Sequence, residues 1–200
     1  MSLRFRYLAW ALVPCLALGP YASSSAAVEP RYTYGEIGYV NVDLDHVDAD
    51  GDGYALGGSY ALHRNIHLLA GYQDIGVGGG RDADALSLGA GLNFPLRPGL
   101  DGIGRLYWID SEIDMRSGNR SDTGWGVEAG FRTMIDPKLE LNGFLRRLDI
   151  YSEKETTVVM GGLYGLTSNF AVGGELELSG DVTAFFLKAR LYFNPPRQMR

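Results

Sequence analysis

Hydrophobic residues recur at every second position along much of the chain. Near the C-terminus Phe185, Leu187, Ala189, Leu191 and Phe193 alternate with Phe186, Lys188, Arg190 and Tyr192. The same period runs through Leu86, Leu88, Ala90, Leu92 and Phe94, through Trp125, Val127, Ala129 and Phe131, and through Phe170, Val172, Gly174, Leu176 and Leu178. A period of two places such side chains on one face of a strand. Alternation and turn signals together predict ten strands: Tyr32 to Asp43, Gly53 to Leu62, Ile66 to Ile75, Asp84 to Phe94, Ile103 to Met115, Thr123 to Ile135, Leu139 to Tyr151, Thr156 to Leu166, Phe170 to Leu178 and Thr183 to Phe193.

The links between these strands fall into two kinds. His63-Arg64-Asn65, Pro95 to Gly102, Asp136-Pro137-Lys138 and Thr167-Ser168-Asn169 are rich in turn-forming residues. The alternate links, Leu44 to Asp52, Gly76 to Ala83, Arg116 to Asp122, Ser152 to Glu155 and Ser179 to Val182, are more polar and generally longer. An even number of strands with tight turns at one end and polar loops at the other is the pattern of a transmembrane β-barrel. Roughly eleven residues per strand is what a tilted strand needs to cross a bilayer. A soluble barrel also alternates, but it fills its inside with large hydrophobes. Here the second face holds glycine, serine, alanine and charge, which would leave a soluble core unfilled. The predicted fold is therefore all-β: an up-and-down antiparallel transmembrane β-barrel of about ten strands, with eight as the smaller alternative.

Composition and charge narrow this further. Of 200 residues 28 are glycine, roughly double the average usage of about 7%, which disfavours a helical bundle. Asp and Glu number 24 against 18 Lys and Arg, so no basic face is available to neutralise phosphates and no nucleic-acid partner is expected. Arg4 and Arg6, the apolar run Tyr7 to Leu18 and the small residues Ala22 to Ala27 read as a secretory signal peptide with cleavage after Ala27. The run is too short to span a membrane as a helix. The expected division is a leader over 1–27, a barrel over 28–194 and a periplasmic tail over 195–200. The one cysteine, Cys15, falls in the leader. Aromatics near predicted strand ends, Tyr32, Tyr34, Tyr54, Trp108, Trp125, Tyr151, Phe170 and Phe193, suit interfacial girdles.

With the apolar face outward, Glu36, Glu128, Glu140, Glu175 and Glu177 point into the lumen together with Arg105, Arg132, Arg146, Lys188 and Arg190. Five acids against five bases predict a network of ion pairs, since buried charges must be paired. The alternation slips near Arg146-Arg147-Leu148, which suggests a β-bulge there. Small inward residues, Gly57, Ser59, Ala61, Gly71, Gly89, Gly91, Gly130 and Gly173, leave room for water and keep a narrow channel open as a second reading.

Few residues offer other chemistry. Asp48, Asp50 and Asp52 space acids as at the start of a calcium loop and are candidate ligands for a divalent cation, though Ser59 stands where such a loop needs Glu. His46, with Asp45 or Asp48, is the sole candidate base near the outer rim, and no serine partner accompanies it. His63 and His67 fall at the opposite end. No catalytic set and no cofactor are expected.

The start Tyr32-Thr33-Tyr34-Gly35-Glu36-Ile37-Gly38-Tyr39, the passage Asp48 to Tyr54, Ile66-His67-Leu68-Leu69-Ala70-Gly71-Tyr72 and Gly126 to Arg132 resemble a family of small bacterial outer-membrane barrels known as sulfation-dependent quorum factors. The final strand, ending on Phe193, is similar to the C-terminal signal of barrels recognised for assembly, except that seven residues follow it. The resemblance implies an outer-membrane barrel. The expected partners are outer-membrane lipid and lipopolysaccharide, and the barrel assembly machinery through the last strand. The expected role is non-enzymatic, structural or surface-interacting, around a charge-paired and largely plugged lumen; the alternative is a narrow passive channel.

Overall fold

The computed structural model describes residues 28–44, 50–77, 81–115, 118–151, 153–180 and 182–193. The predicted leader and the tail after Phe193 lie outside them. Ten strands follow in chain order: β1 (Tyr34–Leu44), β2 (Asp50–His63), β3 (Ile66–Val77), β4 (Arg81–Arg97), β5 (Leu100–Met115), β6 (Gly118–Met134), β7 (Leu139–Ile150), β8 (Glu153–Gly165), β9 (Phe170–Ser179) and β10 (Val182–Tyr192). Each pairs antiparallel with its sequence neighbour, and β1 pairs with β10, so the sheet closes into an up-and-down barrel. Closure leaves no strand edge unpaired.

β4 and β6 each run 17 residues, several more than alternation predicts. Beyond the predicted bounds β4 gains Arg81-Asp82-Ala83 and Pro95-Leu96-Arg97, and β6 gains the polar Gly118 to Asp122. Ladder hydrogen bonds need only backbone, so pairing continues past the apolar band into sequence that carries no hydrophobic period.

The faces are those of a barrel turned inside out. Ile37, Leu56, Leu88, Leu106, Leu145, Met160 and Leu187 stand exposed on the outside, while Glu128, Arg132, Glu140 and Arg190 are buried within. Tyr54, Trp108, Trp125, Phe170 and Phe193 lie on the outer face. Three other aromatics depart from the girdle expectation. Tyr32 and Tyr34 are buried inside, because Tyr34 shares the inward parity of Glu36. Tyr151 sits in the β7–β8 turn at φ 57° and donates its hydroxyl to the carbonyl of Ser111.

The expected bulge near Arg146 is absent. Arg146, Arg147 and Leu148 pair in unbroken register with Thr157, Thr156 and Glu155. Arg147 is simply a polar residue on the outer face, donating to Thr156 Oγ1. The irregularities fall instead at Ala61/His63 and Pro95/Arg97, both beside tight turns.

Many glycines serve close packing rather than open space. The Phe131 ring lies over Gly143 and the Phe185 ring beside Gly174 on the outer face. Inside, the His67 ring fills the place of a side chain at Gly91, the Tyr107 ring at Gly126 and the Glu36 side chain at Gly57. At Gly130 a Cβ would overlap the carbonyl oxygen of Gly143 and press on the Phe144 backbone, whereas at Gly104 it would meet nothing within 4 Å. Gly130→Ala should therefore destabilise the barrel by about 1–3 kcal/mol through overpacking, and Gly104→Ala should leave it unchanged or slightly more stable. Urea unfolding in lipid vesicles, read by the loss of heat-modifiable gel mobility, checks both.

Candidate functional site: a charge-paired lumen closed at one end

Inward parity on six strands delivers ten charged side chains to the lumen: Glu36 from β1, Arg105 from β5, Glu128 and Arg132 from β6, Glu140 and Arg146 from β7, Glu175 and Glu177 from β9, and Lys188 and Arg190 from β10. The structure brings all ten into ion pairs. Glu128 lies between Arg105 (2.6 Å) and Arg146 (3.0 Å), and Arg146 reaches on to Glu177 at 2.8 Å. Lys188 binds Glu175 and stands 3.7 Å from Glu36, which receives Arg190 at 2.7 Å. Arg190 also approaches Glu140 (3.3 Å), and Arg132 donates to Glu140 through both Nε and Nη2. Arg190 and Glu140 belong to strands three places apart, so this contact bridges the lumen rather than following the wall.

The bridge forms a septum near the end where β1 begins and β10 finishes. Arg132, His67 and Val159 are almost completely buried there, with Ile103 and Phe144 beside them. Residues 28–33 then cross the mouth beneath. The Val28 carbonyl lies near Gly99 in the β4–β5 turn, while Thr33 accepts a hydrogen bond from Phe193, on the far side. The segment is held at several points: Arg132 donates to the Arg31 carbonyl (3.0 Å), Ser59 to the Tyr32 carbonyl (2.8 Å), and the Tyr32 hydroxyl to Asp101 (2.7 Å). Burial pushes the Tyr32 hydroxyl above its ordinary value, with Arg132 working against the shift and Asp101 with it, so it remains a donor. The Tyr32 ring stacks on His67 at 4.8 Å, and the Arg132 guanidinium lies 4.8 Å from its centre.

Above the septum lies a cavity of about 360 Å³; below it lie recesses of about 300 and 60 Å³. Neither recess shares a lining residue with the upper cavity. One wall of the cavity is the charge network. The other, from β2, β3 and β4, is neutral and mostly small: Ala55, Gly57, Gly71, Ala85, Ser87 and Gly89, with Leu69 and Gln73 from β3.

Of the remaining candidates, His46 and Asp48 lie outside the described residues. Asp50 and Asp52 open β2, and no group of three His, Cys, Asp or Glu among the described residues is placed to hold a metal ion. Sequence reasoning missed the residues of the closed end. Asp101 falls in the predicted Pro95 to Gly102 turn, and Tyr32 reads as the opening residue of the first strand and an interfacial aromatic. The inward parity of Asn93, which donates to the Arg64 carbonyl, was the available signal.

Residues 8–173 match the family model described as outer membrane protein beta-barrel domain. Among solved structures, the KdgM porin in complex with disordered oligogalacturonate shares 10% identity and a TM-score of 0.47, over 80% of this chain and 99% of that one. The N-terminal β-barrel domain of Pseudomonas aeruginosa OprF gives 16% and 0.43 over 80% and 98%. The Yersinia pestis attachment invasion locus protein Ail gives 15% and 0.42 over 81% and 97%. No curated protein matches the chain.

Arg132 has Glu140 as its carboxylate, with side-chain exposures of 2% and 5%. Glu140→Gln should cost about 3–5 kcal/mol, because it leaves buried cations uncompensated. Lys154→Met, which breaks an exposed 3.7 Å pair with Asp149, should cost less than about 1 kcal/mol. Equilibrium unfolding of the two variants in vesicles separates these outcomes.

Proposed function

The chain belongs to the outer membrane protein β-barrel domain family and resides in the bacterial outer membrane, and from that premise we propose that it is a closed, non-enzymatic barrel with a structural or surface-interacting role. The observation that carries this reading is the septum: Arg132, Glu140 and Arg190 join across the lumen with Tyr32 and His67 packed beneath them. Short turns face the periplasm and longer loops the exterior in such barrels, so the sealed mouth is the periplasmic one and the upper cavity opens outward. Outer-membrane lipid and lipopolysaccharide surround the apolar band in this reading, and Phe193 on the outer face of the last strand serves recognition by the assembly machinery. A signalling role, which the resemblance to the quorum-factor barrels raises, forms no part of it.

The second reading, a narrow passive channel, draws on the cavities that lie on both sides of the septum. Planar-bilayer conductance of the refolded chain decides between them. A silent barrel with the heat-modifiable mobility of a folded one is expected; steady discrete openings in most insertions would overturn the closed reading. The double variant Glu175→Gln, Glu177→Gln frees Arg146 and Lys188 of two partners. It should lower the unfolding midpoint without producing current, whereas a channel would respond with changed ion selectivity.

A further inference from the structure

The end of the barrel that carries the tight turns presents a set of bases that the lumenal network does not use. Arg64 stands in the β2–β3 turn, Arg97 closes β4 and Lys138 immediately precedes β7, and all three are exposed. None of them has an ion pair among the described residues, whereas every lumenal base has one. We propose that these three bases form an arc of docking sites for anionic phospholipid, each taking a phosphate headgroup from the leaflet that meets the tight turns. That this leaflet is the periplasmic one rests on the orientation given above; the binding itself rests only on the apolar band.

Three observations select this occupant. First, each base follows closely on an outward hydrophobe. Leu62 comes two residues before Arg64, Leu96 one before Arg97 and Ile135 three before Lys138, and these are 58%, 65% and 53% exposed. Cation and apolar surface are therefore continuous. A phospholipid joins a phosphate to acyl chains and covers both, whereas a water-soluble anion or the peptidoglycan polymer would engage the base and leave the hydrophobe beside it uncovered. Second, no acid is paired with the arc, although the chain carries a net charge of −6. Asp136 accepts the backbone N–H groups of Lys138 (2.7 Å) and Leu139 (2.9 Å), and Asp101 is buried against the Tyr32 hydroxyl. Glu29 lies in the segment across the mouth, where it borders the same small recess as Arg64 without forming an ion pair with it. Unpaired cations favour an anionic headgroup over a zwitterionic one. Third, the opposite end is built the other way. Asp74, Asp84 and Glu112 stand in one row across β3, β4 and β5, with Asp82 opposite Asp114. Like charges directly opposite one another repel, and an anionic headgroup would add to that repulsion. The outward bases at that end, Arg147 and Lys154, already engage Thr156 and Asp149. Anionic lipid is thus drawn to one leaflet and turned away from the other.

The test uses the full barrel, refolded into phosphatidylcholine vesicles that hold about a quarter phosphatidylglycerol and checked for folded mobility. Spin-labelled phosphatidylglycerol and phosphatidylcholine are compared by the fraction of each that the barrel immobilises. A base at an anionic surface is worth roughly fivefold in association, so a preference of about twofold for phosphatidylglycerol is expected when averaged over the whole lipid shell. It should disappear in about 1 M salt, where the Debye length falls to about 3 Å, and in the triple variant Arg64→Gln, Arg97→Gln, Lys138→Gln. The pair variant Arg147→Gln, Lys154→Gln, at the other end, should keep it. Where the triple variant fails to fold, the three single variants decide, each expected to remove about a third of the preference. The proposal is overturned by equal immobilisation of the two lipids, by a preference that survives the triple variant or all three single ones, or by one lost equally in the pair variant. Sedimentation with purified peptidoglycan that the triple variant loses, without any lipid preference, overturns it in favour of that polymer. A barrel that conducts yet prefers phosphatidylglycerol sinks the closed reading alone, and a silent barrel without the preference sinks the arc alone.

Discussion

Pairing of charge inside a low-dielectric wall is the constraint from which the rest of this structure follows. An isolated guanidinium or carboxylate within the barrel would carry a desolvation penalty of several kcal/mol. Here each of the ten lumenal charges finds a partner, and several find two. The pairs are not confined to neighbouring strands: Arg146 on β7 meets Glu177 on β9, and Arg190 on β10 meets Glu140 on β7. Such contacts brace the wall from inside, where a soluble protein would use a hydrophobic core. The arrangement also divides the interior. All ten charges come from β1, β5–β7, β9 and β10, while β2–β4 line the upper cavity with alanine, glycine and serine beside Leu69 and Gln73. One side of the barrel is therefore cross-linked by charge and the other is neutral, and the upper cavity lies between them.

The architecture was legible because two independent periodicities agreed. The side-chain period of two located the strands, and the alternation of tight and polar links gave the up-and-down order. The inward charges followed from the same parity, which is why Glu36, Glu128 and Lys188 could be assigned to the lumen from sequence. Parity also explains where that reasoning failed. Tyr32 and Tyr34 were assigned to an interfacial girdle by their position near a strand end, a criterion that ignores which face a residue takes. Arg147 looked like a register slip because a polar residue stood at an outward position, yet the ladder through it is unbroken. Small residues were read as room for water. In the folded barrel the His67 ring occupies the space at Gly91 and the Glu36 side chain that at Gly57, so a glycine on one strand often marks a large side chain on the next.

The septum was less legible for a different reason. It is assembled from residues that sit at the margins of periodic segments: Tyr32 before β1, Asn93 and Asp101 on either side of a turn, His67 at the start of β3. Single-sequence patterns are weakest at such margins. The contacts that bind them are also distant along the chain, as in the bond from Arg132 to Arg31 across 101 residues. Nothing local in the sequence announces a partner that far away.

The seam between β1 and β10 carries a further consequence. It joins the first and last strands, and Glu36 there receives both Lys188 and Arg190, the latter 154 residues away along the chain. Loop-closure entropy grows with the length closed, and among the lumenal pairs this one closes the longest stretch of chain. Residues 28–33 lead directly into β1 and cannot settle across the mouth until that strand has found its place. The seam and this cork meet at Thr33, whose carbonyl receives the Phe193 N–H. A nascent barrel lacks this fastening until its final strand arrives, and that strand carries in Lys188 and Arg190 the two cations that join it to the first.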